Sequence, residues 1–126
     1  QDIFSVFVSQ HRDSIGEKGK FMTEEVESYF KNLLNIDGWK IYYIDSNGGI
    51  LSTAFCYENE IGCYLYNSSR DNNFNSVNPG IIINDLIIQH LIKKNFLFFD
   101  FLKGTERYKY DLGGKSVQLY DLTMNL

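Results

Sequence analysis

The first third of the chain carries apolar side chains at helical spacing in two places. Residues 2–12 combine Ile3, Phe4, Phe7 and Val8, a pattern that predicts an amphipathic helix. Residues 16–20 contain two glycines and mixed charge and predict a loop. Thr23 is a good N-cap before two glutamates, and a second helix is expected to end before Asp37. Its apolar stripe is Val26, Tyr29, Phe30, Leu33 and Leu34.

From Trp39 onward, β-branched and aromatic residues predict strands at residues 39–44, 50–57 and 61–66. The Ser46-Asn47-Gly48-Gly49 stretch between the first two indicates a hairpin, because Asn and Gly accept positive φ. In the second hairpin, alternation assigns Ala54, Cys56, Cys63 and Leu65 to one face and Phe55, Tyr57, Tyr64 and Tyr66 to the other. Both faces are apolar, so helices are expected to cover both.

The rest of the chain predicts a polar loop at 68–78, followed by a helix that opens at Asn78-Pro79-Gly80 with Pro at its first position. Apolar spacing continues this helix to Lys94. A strand at 97–101, a short helix at 105–112 and a last strand at 117–124 complete the order α-α-β-β-β-α-β-α-β. The expected fold is a three-layer α/β/α arrangement around a mixed, mostly antiparallel sheet, formed by residues 1–126 as one domain.

Composition and net charge limit the kinds of partner that this protein is expected to bind. A chain of 126 residues with 44% hydrophobic residues has the size and core of one domain. The net charge of -4 argues against nucleic acid as a partner. The longest apolar stretches are too short for membrane insertion, and no secretory signal is evident, so a cytoplasmic location is expected. The chain opens on Gln1 rather than Met, which suggests a domain excised from a larger protein; the family resemblance described below implies that it is the C-terminal part.

Cys56 and Cys63 have no His or Cys neighbours at zinc spacing, so no metal site is expected. If Asn59-Glu60 forms a two-residue loop, the two thiols lie directly opposite each other. That arrangement permits a disulfide, but two reduced, buried cysteines are favoured in a cytosolic protein.

The strand, loop and helix that meet at Asn78-Pro79-Gly80 can hold phosphate. The first amides of a helix lie at the positive end of its dipole, and Gly80 lets a ligand approach the backbone. A plain helix cap is the simpler interpretation of the same residues.

Ionisable residues cluster near the strand at 97–101. Asp100 interrupts an apolar strand, and a buried carboxylate there needs a partner or a task; a hydrogen bond to a loop amide is the structural alternative. Glu106 and Lys109 equally suit an exposed ion pair. His90 shares a helix face with apolar residues, and His11 suits the negative end of the first helix dipole, so neither histidine is favoured for catalysis.

Together these residues resemble a known family. Residues 3–113 are similar to the GNAT-type acetyltransferase domain of cellulose and exopolysaccharide biosynthesis proteins, a branch related to the Fem peptidyltransferases. The residues that carry the resemblance are Asn78-Pro79-Gly80, the stretch from Phe99 to Gly104, Glu106, Tyr108-Lys109 and His11-Arg12.

The resemblance implies an N-acyltransferase that moves an acyl group from acetyl-CoA or another acyl-CoA to a small-molecule amine, such as an amino sugar or cell-envelope precursor. It implies a sheet that splays between the strands at 61–67 and 97–101. Tyr108 is the expected acid, and Asp100 or Glu106 the base. The pantetheine is expected at Asn67, Ser68 and Ser69, the pyrophosphate at Asn78, Gly80 and Ile81, and the acceptor at Lys103 and Lys109.

The resemblance also implies a second GNAT domain or a homodimer as a partner. Two other functions stay open. One is a catalytically silent GNAT-like binding or assembly module. A measurement of donor binding would distinguish such a module from an enzyme. The other is aminoacyl transfer as in Fem-type proteins, which the acidic charge balance disfavours.

Overall fold

The helices and strands follow the predicted order over most of the chain. The structure, a computed structural model, describes residues 2–73, 79–102 and 113–115. Its elements are α1 (Ile3–Arg12), α2 (Glu17–Phe21), α3 (Glu24–Leu33), β1 (Trp39–Ser46), β2 (Gly49–Glu58), β3 (Gly62–Arg70), α4 (Pro79–Lys93) and β4 (Phe98–Asp100). The helix predicted at 105–112 and the strand at 117–124 lie outside the described residues. Among those described, no helix is long and apolar enough to span a membrane.

The starts of α1 and α3 are fixed by capping side chains. Asp2 accepts a hydrogen bond from the Phe4 amide at 3.2 Å, and the Thr23 hydroxyl accepts one from the Val26 amide at 3.2 Å. Each cap satisfies an amide that has no partner within its own helix. The helix start predicted at Thr23 is therefore confirmed.

The loop predicted at residues 16–20 is wrong, because the short helix α2 occupies most of it. Gly16 adopts a φ of 80°, which a glycine tolerates and which turns the chain into α2. A Cβ on Gly19 would lie 2.2 Å from the Ser14 carbonyl oxygen. The glycines thus permit a tight approach between the end of α1 and α2, rather than an irregular loop.

The sheet has the order β1-β2-β3-β4 and helices on both faces. β1, β2 and β3 pair antiparallel, whereas β3 and β4 pair parallel. On one face, α4 packs Ile83, Ile87 and Leu91 against the sheet residues Ala54, Cys56, Cys63 and Leu65. On the other face, α1 and α3 pack around Phe55, with Phe7 and Phe30 fully buried. The three-layer fold and both predicted faces of the second hairpin are confirmed.

The predicted pairing of the two cysteines is wrong in register. Cys63 lies opposite Glu58, and Cys56 lies opposite Leu65. The cause is a longer turn, in which the Asn59 side-chain oxygen accepts from the amides of Ile61 (3.0 Å) and Gly62 (2.9 Å). Up to the pair Cys56–Leu65 the shift is two residues, which leaves these side chains on their predicted faces.

Both cysteines are free and buried, as the favoured interpretation held. Cys56 hydrogen bonds with the Cys63 thiol, which together with burial holds the pKa of Cys56 well above its ordinary value. Buried thiols of this kind behave as small apolar side chains.

The predicted loop begins later than residue 68, because β3 continues to Arg70. The Thr53 hydroxyl lies 2.6 Å from that of Ser69 on the neighbouring strand, and both side chains are buried. Hydrogen bonds between hydroxyls therefore carry the strand through a stretch whose polarity predicts a loop.

Candidate active site

The sheet opens between β3 and β4. The two strands pair only through Gly62 with Phe98, Cys63 with Phe99 and Tyr64 with Asp100. Beyond Tyr64, β3 continues to Arg70 with β2 on one side, and the described residues supply no strand on the other. The backbone groups along this edge are available to an extended ligand.

A β-bulge lies where this open edge begins. Cys56 pairs with Leu65, whereas Phe55 pairs with Asn67, so Tyr66 is the extra residue on β3. The Tyr66 ring packs 5.5 Å from Phe30 of α3, and the Asn67 side chain contacts His11 of α1. Two consecutive residues therefore face the same helices, an arrangement that a bulge allows and regular alternation forbids.

Side chains of α1 hold the open part of β3 in place. Gln10 donates to the Ile50 carbonyl oxygen at 2.9 Å, and its own amide oxygen accepts from the Ser69 hydroxyl at 3.0 Å. Asn67 Oδ1 lies 3.2 Å from His11 Nε2 and accepts from the Ser68 amide at 2.8 Å. Buried polar groups that are satisfied in this way fix a local conformation.

His11 is a neutral hydrogen-bond donor. Its side chain is 1% exposed, and burial, followed by the positive charge of Lys18, lowers its pKa below the ordinary value of 6.5. Because Asn67 Oδ1 can only accept, the ring proton lies on Nε2. Burial disfavours the charged form of the ring, which weakens the interaction expected between His11 and the dipole of α1.

The predicted donor-binding residues lie on two neighbouring elements. Asn67 and Ser68 are half-buried and Ser69 is buried on β3, whereas Gly80 and Ile81 are half-buried in the first turn of α4. The Ser52 hydroxyl of β2 donates to the Pro79 carbonyl oxygen at 3.0 Å. Since Ser52 also pairs with Arg70, this bond joins the start of α4 to the end of β3. Asn78 lies outside the described residues.

The residues predicted for proton transfer are described only in part. Asp100 is exposed, and its Oδ1 accepts from the Leu102 amide at 2.7 Å. The premise that this carboxylate is buried is wrong: β4 lies where the sheet opens, so the side chain reaches solvent. The hydrogen bond to a loop amide, given as the structural alternative, is present. Lys103, Glu106, Tyr108 and Lys109 lie outside the described residues.

His90 lies in the last turn of α4. His90 is exposed, with its ring 6.1 Å from that of Tyr42, in keeping with a structural role.

A pocket on the α3 side of the sheet is not predicted by the sequence pattern. One of about 320 Å³ nevertheless lies there, lined by Trp39, Tyr57, Asn59, Tyr64, Tyr66 and Leu102. The alternation of side chains predicts all three of these tyrosines on one face of the sheet, but it also predicts that helices cover that face.

Possible metal ligands are not grouped together in the part of the chain that the structure describes. Within the ranges 2–73, 79–102 and 113–115, no three His, Cys, Asp or Glu side chains come together in a way that could hold a metal ion. The polar groups gathered beside the open part of β3 include the Gln10 and Asn67 amides, the Ser69 hydroxyl and the His11 ring.

Comparison with known proteins identifies the class. Residues 1–110 match the family model described as "Acetyltransferase (GNAT) domain", and the chain belongs to that family. No curated protein matches the sequence.

Two solved structures share the fold. The "Putative acetyltransferase from Agrobacterium tumefaciens str. C58" superposes with a TM-score of 0.58 at 16% identity, over 82% of this chain and 80% of that one. An aminoglycoside acetyltransferase, meta-AAC0020, from an uncultured soil metagenomic sample in complex with sisomicin superposes with a TM-score of 0.52 at 17% identity. That match covers 79% of this chain and 74% of the other.

Proposed function

We propose that this protein is an N-acyltransferase that moves an acyl group from acyl-CoA to an amine. The observation that carries the proposal is the open edge of β3 from Leu65 to Arg70, which is joined to the first turn of α4 through Ser52. An extended pantetheine arm needs such an edge, and a pyrophosphate suits the start of a helix. The GNAT family, to which the chain belongs, supports acyl transfer in general.

In this proposal the amide groups of pantetheine pair with the backbone at Asn67, Ser68 and Ser69. Gln10 and His11 hold these residues rigid before the donor arrives, so less conformational freedom is lost on binding. The pyrophosphate lies against the start of α4 at Asn78, Gly80 and Ile81. The hydrogen bond from Ser52 to Pro79 keeps that turn at a fixed distance from β3.

The chemistry is direct transfer. The lone pair of the neutral amine attacks the thioester carbonyl carbon, and a C–N bond forms as the carbonyl oxygen becomes an oxyanion. After the attack the nitrogen carries a positive charge and gives one proton to a base. Collapse of the intermediate then breaks the C–S bond, and an acid gives one proton to the CoA thiolate. The products are an amide and CoA. We expect backbone amides near the Tyr66 bulge to stabilise the oxyanion.

We assign the acid to Tyr108 and the base to Asp100 or Glu106, and we place Lys103 and Lys109 against an anionic part of the acceptor. Asp100 suits the role of base because it is exposed at the end of β4, where the sheet opens. We further propose that the acceptor is an amino sugar or cell-envelope precursor, on the strength of the resemblance to polysaccharide biosynthesis proteins.

Chemical-shift mapping with CoA tests the donor site. Titration into ¹⁵N-labelled protein should shift the amides from Asn67 to Ile81 more than those of the β1–β2 turn at Asn47 and Gly48. Transfer is then assayed with acetyl-CoA and a panel of amines. Binding together with turnover supports the enzyme. Binding without turnover on any amine indicates a silent module, and the absence of CoA binding refutes the donor site.

A further inference from the structure

Four of the six residues that line the pocket on the α3 side of the sheet are aromatic. The Trp39 ring lies 5.2 Å from that of Tyr57 at an interplanar angle of 54°, and 5.3 Å from that of Tyr66 at 70°. Tyr64 adds a third tyrosine, 6.2 Å from Tyr57. Rings packed against one another at such angles form an aromatic surface that is not flat, and this surface is called the ring corner.

The polar character of the pocket is equally specific. None of its six lining residues is charged. Asn59 Oδ1 already accepts two backbone amides, and hydrogen bonding with Tyr29 raises the pKa of Tyr66 so that its ring stays a neutral phenol. The lining therefore offers mainly the electron-rich faces of neutral rings, which attract a cation with an apolar surround.

The pocket adjoins the proposed donor site through one residue. Tyr66, the bulge residue of β3, lines the pocket, and Asn67 beside it begins the segment proposed to pair with pantetheine. A molecule in the pocket therefore lies next to the point where the sheet opens.

We propose that this pocket binds an ammonium group of the acceptor other than the one that is acylated, so that the acceptor carries at least two amino groups. This inference rests on the proposed function. The reacting nitrogen must lose a proton before it attacks, whereas a ring corner stabilises the charged form of whatever amine it holds. The group in the corner is thus a handle that positions the acceptor, and a second nitrogen reaches the thioester.

Trp39 makes the site directly observable, because it is the only tryptophan in the chain. Choline and its neutral analogue of the same shape, 3,3-dimethylbutan-1-ol, are titrated separately while Trp39 fluorescence is recorded. Choline cannot be acylated on nitrogen and donates no N–H bond, so the pair isolates the effect of charge. We expect saturable binding of choline that is about tenfold tighter than that of the alcohol. Equal binding of the two, or no response to choline, overturns the proposal.

Variants localise the effect. Tyr66→Leu removes a ring face and should weaken choline binding about tenfold, whereas Tyr66→Phe keeps the face and should bind within about threefold of the original chain. Tyr43→Leu is the matched control, because Tyr43 is an exposed aromatic residue of β1 outside the pocket. Circular dichroism establishes that each variant is folded. Unchanged choline affinity in folded Tyr66→Leu contradicts the assignment.

Failure here is separable from failure of the acyltransferase assignment. CoA binding and acetyl transfer are measured independently of choline. If transfer is found, 1,4-diaminobutane should have a lower KM than butylamine, and choline should compete with the diamine. Transfer with equal KM values for the two amines refutes the pocket proposal and leaves the acyltransferase intact. A choline response in a protein that does not bind CoA refutes the acyltransferase instead.

Discussion

Replacing His11 separates a hydrogen bond from the packing around it. The ring lies 5.8 Å from Phe7 and 5.7 Å from Phe21, and its Nε2 donates to Asn67 at 3.2 Å. His11→Phe keeps an aromatic ring in this space and removes the hydrogen bond. Asn67 Oδ1 retains the Ser68 amide as a partner, so the expected loss in the free energy of unfolding is about 1 kcal/mol near pH 7.5. His11→Ala also leaves a cavity and should lose about 3 kcal/mol.

The pH dependence identifies the titrating group. The folded pKa of His11 lies below its ordinary value of 6.5, so below pH 6.5 the unfolded chain binds more protons than the folded one. The free energy of unfolding of the original chain should therefore fall as the pH is lowered from 6.5 towards the folded pKa. His11→Phe lacks this group and should show a smaller slope in the same range.

Urea unfolding followed by Trp39 fluorescence measures both quantities, at several pH values between about 5 and 8. His90→Gln is the matched control, because His90 is the only other histidine in the sequence and is exposed. It should keep the slope of the original chain. If His11→Phe retains the full slope, or if His90→Gln removes it, the neutral, buried state of His11 is refuted.

Three further predictions concern the donor, the chemistry and the core. Gly80→Val should weaken CoA binding more than Arg70→Ala, measured by calorimetry, because a side chain at Gly80 obstructs close approach to the α4 start; equal affinities contradict this. Tyr108→Phe should lower kcat by roughly a hundredfold with little change in donor affinity, and Asp100→Asn should lower kcat if the carboxylate is the base. Full turnover in both would refute these roles. Phe55→Ala should destabilise the fold by about 4 kcal/mol in urea unfolding, because Phe55 is fully buried between α1 and α3; a loss under about 1 kcal/mol would contradict its core role.

Much of the candidate site was within reach of the sequence, although only as segments. The polar stretch around Asn67 and the helix opening at Pro79 were identified as neighbours in a strand, loop and helix. Their actual connection is the Ser52 hydroxyl on the Pro79 carbonyl oxygen, and Ser52 lies on a different strand. Nothing in the pattern around Ser52 indicates this bond, because hydrogen bonds between distant segments leave no periodic trace.

His11 illustrates the same limit for a titratable group. Its position at the end of α1 predicts a cation beside the helix dipole. Phe7 lies one turn before His11 on α1, but Phe21 and Asn67 belong to α2 and β3 and meet the ring only when the chain folds. The effect of burial is larger than that of the dipole, because the free-energy cost of removing the charged ring from water exceeds the stabilisation by the helix end.

The sequence by itself determined α1, α3, α4, the strands β1 to β4 and the two apolar faces of the sheet, because side-chain periods of 3.6 and 2 are local properties of the backbone. Even the error in the second hairpin turn left these faces unchanged, since the register moved by two residues. Only the tertiary structure decided the bulge at Tyr66, the short pairing of β3 with β4, and the aromatic corner around Trp39. Each of these depends on which distant segment lies beside a given residue, and that choice is made by the packing of the whole fold.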